Sequence, residues 1–481
     1  MTRRFDVGLN GCLAGLAALL SAAAAFGLLH ASFCAFTWGK FTLSDYGKYV
    51  NMLWNCGHGA PFRMLVDHNY LGTHLSFSLA PLGLLFHVWD HPFLPAALQW
   101  LGAMAGAALL GAAARRHGLR RDVALAIVFW AVGHACVQTV LLSEFHGVAL
   151  LLLLLPWLYY ALAFARRWAW LPLVLILGLR EDAAFVAVPM LLVFAWQRRW
   201  RAGYGWAAFA LLYGWLAVTV LYPAIGHQTL VERRPMVSPP VFLAQFQDFD
   251  LPARGRAALL ALGTGLPLLR RKAWVPLLAF PALAAGIALL SPMHIQHRLL
   301  HHYSAGLMAC LGPALVAAVA ATRDPDGKRA GLDRAWVAAW IVAATLASHA
   351  WAGFLPGGPG SRREYLRTHP DGIQALQTAA GLSKEGLLVC SARQAGFVAN
   401  RRDLLSWDEY DPARHAARYV FLPLRELGNA ESPARRLLES GSWGVCARSG
   451  AFLALERDAD ASGNAAILAE VDARRRPAAA P

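Results

Sequence analysis

The run RRWAWLPLVLILGLREDAAFVAVPMLLVFAWQRRW, residues 166–200, decides how the whole chain is read. Two apolar stretches, roughly 168–180 and 183–197, meet at Arg180-Glu181-Asp182. Their outer ends carry Arg166-Arg167 on one side and Arg198-Arg199 with Arg201 on the other. Short loops on the cytoplasmic face of a bilayer concentrate Lys and Arg. The pattern therefore describes a helical hairpin anchored in the cytoplasm, with its charged tip on the far side.

The same alternation continues in both directions. A spanning helix needs about 20 apolar residues, and such stretches lie at 9–29, 93–114, 122–142, 147–165, 168–180, 183–197, 203–222, 256–270, 273–290, 303–322 and 335–353. Arg3/Arg4, Arg115/Arg116/Arg120/Arg121, Arg270/Arg271/Lys272 and Arg323/Lys328/Arg329/Arg334 fall in every second loop. About eleven crossings from a cytoplasmic N-terminus place all of these clusters inside. The first apolar run is too long for a cleaved signal peptide and reads as a retained helix. Residues 74–91 are apolar too, but counting them as a span would turn the later clusters outward, so they read as a helix in the interface.

Composition agrees with a bilayer protein. Of 481 residues 57% are hydrophobic, above the 45–50% or so of soluble domains, and mean hydropathy is +0.41. There are 44 Lys+Arg against 29 Asp+Glu, a formal charge of +15. Because these cations sit between apolar runs, they read as bilayer anchors and give no reason to invoke nucleic acid. Seven cysteines are too few for a disulfide scaffold. Cys34 with Cys56, or Cys390 with Cys446, is a possible pair if those segments face an oxidising compartment.

After Phe354 the texture changes. Pro356-Gly-Gly-Pro-Gly360 is a linker signal. Beyond it the pattern gives an amphipathic helix over 362–379, strands at 386–390 and 418–422, a helix opened by Ser432-Pro433 and closed by Gly441, and a hairpin about Ser449-Gly450. The expected architecture is mainly α: a transmembrane bundle over 1–353 with long outer loops at 30–92 and 223–255. A small extracytoplasmic α/β domain over 354–460 follows, then a disordered tail over 461–481.

Ionisable residues near the bilayer are costly and count as functional candidates. Asp45, in Phe41-Thr-Leu-Ser-Asp-Tyr46, suits a general base on a hydroxyl, or else Ser44 or Asp45 caps the helix that follows. Glu144 and His146 crowd one outer turn, which is either functional or a plain structural turn. Arg180-Glu181-Asp182 suits phosphate binding by Arg180 with the carboxylates orienting it or a metal, or an internal ion-pair knot. In MHIQHRLLHHY, residues 293–303, a helix would bring His294, His297 and His301 to one face beside Arg298, with His302 and Tyr303 following. That face suits a lipid phosphate, a metal held by neutral imidazoles, or simply an interface. All four groups fall on the outer side, together with His68 and His74.

The Asp45 segment, the His68/His74 loop, Glu144-Phe-His146, Arg180-Glu-Asp182 and His301-His-Tyr303 together resemble an uncharacterised bacterial membrane family, domain of unknown function 2079. The resemblance covers about 36–325, with a looser match in the tail domain. That family is related to the GT-C-type glycosyltransferases, which take sugars from polyprenyl-phosphate donors. The resemblance implies a bacterial inner-membrane protein with Asp45 as base at the outer face. Arg180 stands where many relatives carry Lys, and no second acid adjoins Asp45.

Three functions follow as expectations. In the first, a sugar passes from a polyprenyl-phosphate donor to an envelope acceptor, with Asp45 as catalytic residue. Arg180, Arg298, His294, His301, His302 and Tyr303 then bind the phosphate, and His68, His74, Glu144, His146, Glu181 and Asp182 shape the pocket. No cofactor is required by this scheme, although a divalent metal is compatible with it. The second is a transporter or flippase of a lipid-linked or anionic substrate. The third is an assembly partner whose tail domain binds other envelope proteins.

Overall fold

A computed structural model describes residues 2–66, 68–226, 250–268, 273–291, 293, 296, 298–322 and 332–475. The chain is mostly helical and falls into two compact units. The first comprises 1–32, 71–79 and 96–363, and the second 33–70, 80–95 and 364–481.

In the first unit each of the apolar stretches is helical, because an uncharged Leu/Ala/Val-rich chain can satisfy its backbone in lipid only within a helix. Five helices among the described residues are long and apolar enough to cross a membrane. They are Asn10–Thr37, Leu94–Arg116, Gly147–Phe164, Arg201–Ile225 and His301–Ala321. A sixth arises if Arg121–Gly133 and Ala135–Leu142 are one span bent by 45°. The second hairpin arm has the expected bounds, the first is shorter than expected, and neither reaches a full span. Ala183–Gln197 has 15 residues, a rise of about 22 Å against a hydrocarbon core of about 30 Å, and Trp170–Leu177 has only 8.

The bend inside 121–142 has a local cause. His134 adopts an extended backbone and its Nδ1 accepts the Cys136 N–H at 3.2 Å, capping the second half-helix. Side chains take up the backbone groups that the break exposes: Ser348 Oγ accepts from Ala135 N at 3.2 Å, and Gln138 Nε2 donates to Gly133 O at 2.7 Å. Helix Ala305–Ala321 is buried along most of its length and packs on Leu151–Phe164. Close approach elsewhere depends on small residues, as expected between membrane helices. A Cβ on Gly106 would lie 1.8 Å from Leu152 O.

The second unit contains two sheets. The strands are β1 (Arg63–Met64), β2 (His68–Asn69), β3 (Leu388–Cys390), β4 (Leu404–Ser406), β5 (Tyr419–Pro423), β6 (Trp443–Ser449) and β7 (Phe452–Arg457). β1 and β2 pair antiparallel; the other five form a mixed sheet in the order β4-β3-β5-β7-β6. β3 is parallel to both β4 and β5, whereas β6 and β7 form the hairpin. Val389, Leu405, Val420, Leu422, Leu453 and Leu455 make the core on one side of this sheet. Helix Lys48–Gly57 is tied to the same unit by Asn51, which donates to Ala399 O and Arg401 O at 3.3 and 2.7 Å and accepts Leu65 N–H at 2.6 Å. Asn55 adds a bond to Arg402 O at 3.1 Å.

Several local expectations are corrected. The helix over 362–379 is broken into Arg363–Leu366 and Pro370–Ala380, because the residues before Pro370 are pushed out of helical geometry. Residues 464–475, expected without order, form a helix; 476–481 lie outside the described residues. Neither proposed cysteine pair forms, since all seven cysteines are free. The outer segment 223–255 lies for the most part outside the described residues.

Gly106→Val should lower the melting temperature in detergent by the equivalent of about 3 kcal/mol or more, because the added side chain forces two backbones apart. Gly15→Val, where a Cβ meets nothing within 4 Å, should leave it unchanged. Equal melting of the two variants would refute the close-packing account.

Candidate functional site

The polar end of the first unit is assembled from residues 71–79, 139–148, 178–183 and 298–304. The hairpin tip divides its charges between two jobs. Glu181 is only 4% exposed; its Oε1 lies 2.9 Å from His74 Nδ1 and its Oε2 accepts Leu75 N–H at 3.2 Å. Leu75 is fully buried against Ala217 and Tyr222, and Ser78 N donates to Gly178 O at 2.8 Å. Glu181 thus pins the 71–79 segment to the tip. Arg180 pairs with Asp182 instead, through two parallel contacts, one of them Nε to Oδ1 at 2.5 Å.

Burial by itself would raise the Glu181 carboxyl. The His74 hydrogen bond and charge, with Arg180 behind them, more than offset this and hold it below the usual carboxylate range.

A second pairing closes the other side. His146 and His302 stack with ring centroids 3.5 Å apart and planes 19° from parallel. His146 Nδ1 is 3.0 Å from Glu144 O, and its backbone N–H donates to Gln99 Oε1 at 3.3 Å. The 298–304 segment is not the continuous helix that a shared histidine face requires. Leu299 and His301 both have φ +55°, the left-handed region that costs a non-glycine residue about 1–2 kcal/mol. His301 therefore leaves the register expected for it, and His294 and His297 lie outside the described residues. The hydroxyls of Thr139 and Ser304 lie between the carbonyls of Cys136, at 3.2 and 2.9 Å, and His301, each at 3.3 Å, and tie the strained turn to the bent helix. Arg298 is exposed, with Asp250 3.8 Å away.

Between these groups opens a small cleft of about 70 Å³ whose lining includes Arg180, Asp182, Gln296, His302 and Tyr303. Its remaining wall is apolar, made by Val148, Leu151, Val186, Ile287, Leu307 and their neighbours. His302 Nδ1 is buried with no hydrogen-bond partner among the described residues, a deficit of about 1–3 kcal/mol that an incoming polar group would relieve.

Asp45 and His68 belong to the second unit. Asp45 is exposed in a π-helical turn, Leu43–Gly47, that runs into Lys48–Gly57. The residue at the start of Lys48–Gly57 is Gly47, which makes no side-chain cap. π-Turns are enriched at functional sites. His68 is exposed in β2. No three His, Cys, Asp or Glu side chains converge as a metal site among the described residues. Gln99, Thr139 and Ser304, which position the histidines, were missed; uncharged residues inside apolar runs carry no sequence signal of that role.

The profile of the predicted membrane protein family DUF2079 matches residues 41–352, and the chain belongs to that family. Solved structures similar to it include ArnT from Cupriavidus metallidurans in the apo state, 14% identical, with a TM-score of 0.49 over 92% of this chain and 97% of that one. Another is the same protein bound to undecaprenyl phosphate, 14% identical, with a TM-score of 0.46 over 92% and 98%. No curated protein matches the sequence.

Because the folded Glu181 carboxyl ionises below an unfolded one, its stabilisation is complete above the ordinary carboxylate range. It is lost as pH falls through the lowered value. Glu181→Gln should therefore melt lower at neutral pH, by about 1–3 kcal/mol. The gap to wild type should narrow below pH of about 4. A constant gap across that range, in thermal unfolding from neutral pH downward, would remove Glu181 as the acid-sensitive clamp.

Proposed function

We propose that this DUF2079 protein is a membrane glycosyltransferase that moves a sugar from a polyprenyl-phosphate donor to an acceptor at the outer face. The observation that carries the reading is the cleft of the first unit. Its lining combines Arg180, His302 and Tyr303 with apolar side chains, a mixture that suits a phosphate group beside hydrocarbon, the lipid chain itself lying outside so small a cavity. Arg180 is already held by Asp182, so a phosphate replaces that carboxylate as its bidentate partner. The unpartnered His302 nitrogen supplies a further polar contact. Arg298, His294 and His301 are proposed to add positive or hydrogen-bonding character as the lipid phosphate departs.

Asp45 is proposed as the base on the resemblance and on its exposed position in the π-helical turn. It would take the acceptor hydroxyl proton while the acceptor oxygen attacks the anomeric carbon. The bond from that carbon to the phosphate oxygen breaks, and its electrons leave with the lipid phosphate. Glu181, His74, Glu144 and His146 shape the cleft, Asp182 holds Arg180 until donor arrives, and His68 is assigned to the pocket from sequence alone.

One feature favours a carrier instead. The helix pair broken at His134 is of the kind that builds substrate sites in transporters. A carrier would release its substrate chemically unchanged.

Purified protein incubated with radiolabelled polyprenyl-phosphate sugars and membrane lipid extract should form a new labelled product. Asp45→Asn should reduce turnover by about 10²–10⁴-fold. Arg180→Ala should reduce kcat/KM by about 10–100-fold. Turnover unaffected by Asp45→Asn would sink the base assignment. Uptake of unaltered donor into vesicles, with no product, would establish the carrier.

A further inference from the structure

We infer that a second cleft, wholly within the second unit, is a binding site for an anionic saccharide, a sugar bearing a phosphate or carboxylate. The cavity is about 680 Å³, within the range of small-molecule sites. Trp38, Phe397 and Phe452 give it aromatic walls. The Trp38 ring is fixed edge-on to His369 at 4.3 Å, and its Nε1 donates to Arg367 O at 2.8 Å.

Charge on the lining is unbalanced. Arg393, Arg425 and Arg474 stand against one carboxylate, Asp371. Arg474 shares Glu470 at 2.7 Å, but Arg393 has no hydrogen-bond or ion-pair partner among the described residues. Gly39, at φ +66°, lets the chain lie against Arg393: a Cβ there would be 3.5 Å from its Nε.

Gln394 supplies an independent observation. This lining residue is 3% exposed, and its Oε1 is buried with no hydrogen-bond partner among the described residues. An amide oxygen left so requires a donor, and inorganic phosphate offers at most one or two O–H groups for it while its charge seeks the arginines. An anionic sugar meets both needs. Its hydroxyls donate to the amide, its apolar ring face packs on the aromatic walls, and its anionic group takes the arginines. The aromatic walls have no use for inorganic phosphate alone.

The binding claim stands without the transfer reading; only a role as acceptor subsite rests on it. Calorimetric titration of the purified full chain in detergent with glucose 1-phosphate, glucuronate, glucose and inorganic phosphate separates the possibilities. Both anionic sugars should bind with Kd of about 1 mM or below, and glucose and phosphate at least about tenfold more weakly. The exposed pair changed together, Arg393→Ala with Arg425→Ala, should weaken the anionic sugars by roughly tenfold or more without altering the melting temperature. Phosphate binding as tight as glucose 1-phosphate would reduce the cleft to an anion patch and overturn the proposal. So would the absence of saturable binding, or undiminished binding by the variant. Since no turnover is measured, a failed transfer assay and a failed titration point to different errors.

Discussion

The polar end of the first unit depends on one buried carboxylate. By taking His74 and the Leu75 N–H, Glu181 fixes the 71–79 segment and is no longer available to Arg180. Arg180 must then turn to Asp182, its second neighbour, and the pair lines the cleft. Three consecutive charges thus separate into a structural clamp and a binding group. The division follows from burial: the carboxylate that is nine-tenths enclosed needs saturated hydrogen bonding, while the half-exposed one can exchange partners.

Strain on the opposite side has the same logic. Left-handed backbone at Leu299 and His301 is tolerated because hydroxyls of Thr139 and Ser304 tie the turn to the bent helix. The turn brings His302 onto His146, and two stacked imidazoles cannot both carry charge without repulsion. The stack therefore favours a neutral acceptor or donor over a second cation beside Arg180.

Much of the helical framework was legible in the sequence because the bilayer tolerates few alternatives: a long uncharged run has one way to satisfy its backbone. Where the reading failed, short-range chemistry overrode the pattern. His134 caps its own break, Pro370 divides an amphipathic run, and His301 leaves helical register. Strand β4 has three residues, too few for alternation to register. At the site, the residue types that matter were visible, since ionisable groups stand out in an apolar chain. Which carboxylate does what was not, because the choice between Glu181 and Asp182 is made by residues more than a hundred positions away.

The longest such separations lie in the second unit, where Asn51 and Asn55 bond to the backbone at 399–402 across as many as 350 residues. In the living cell these partners are made at opposite ends of translation. At roughly 5–20 residues per second, the first loop waits on the order of 20–70 s for the strands that will satisfy it. During that interval its asparagines and half-formed helix stand without these partners while the rest of the chain is made. Any truncation from the C-terminal side would extend that exposure indefinitely, so its effects would be those of a misfolded first loop as much as those of a missing domain.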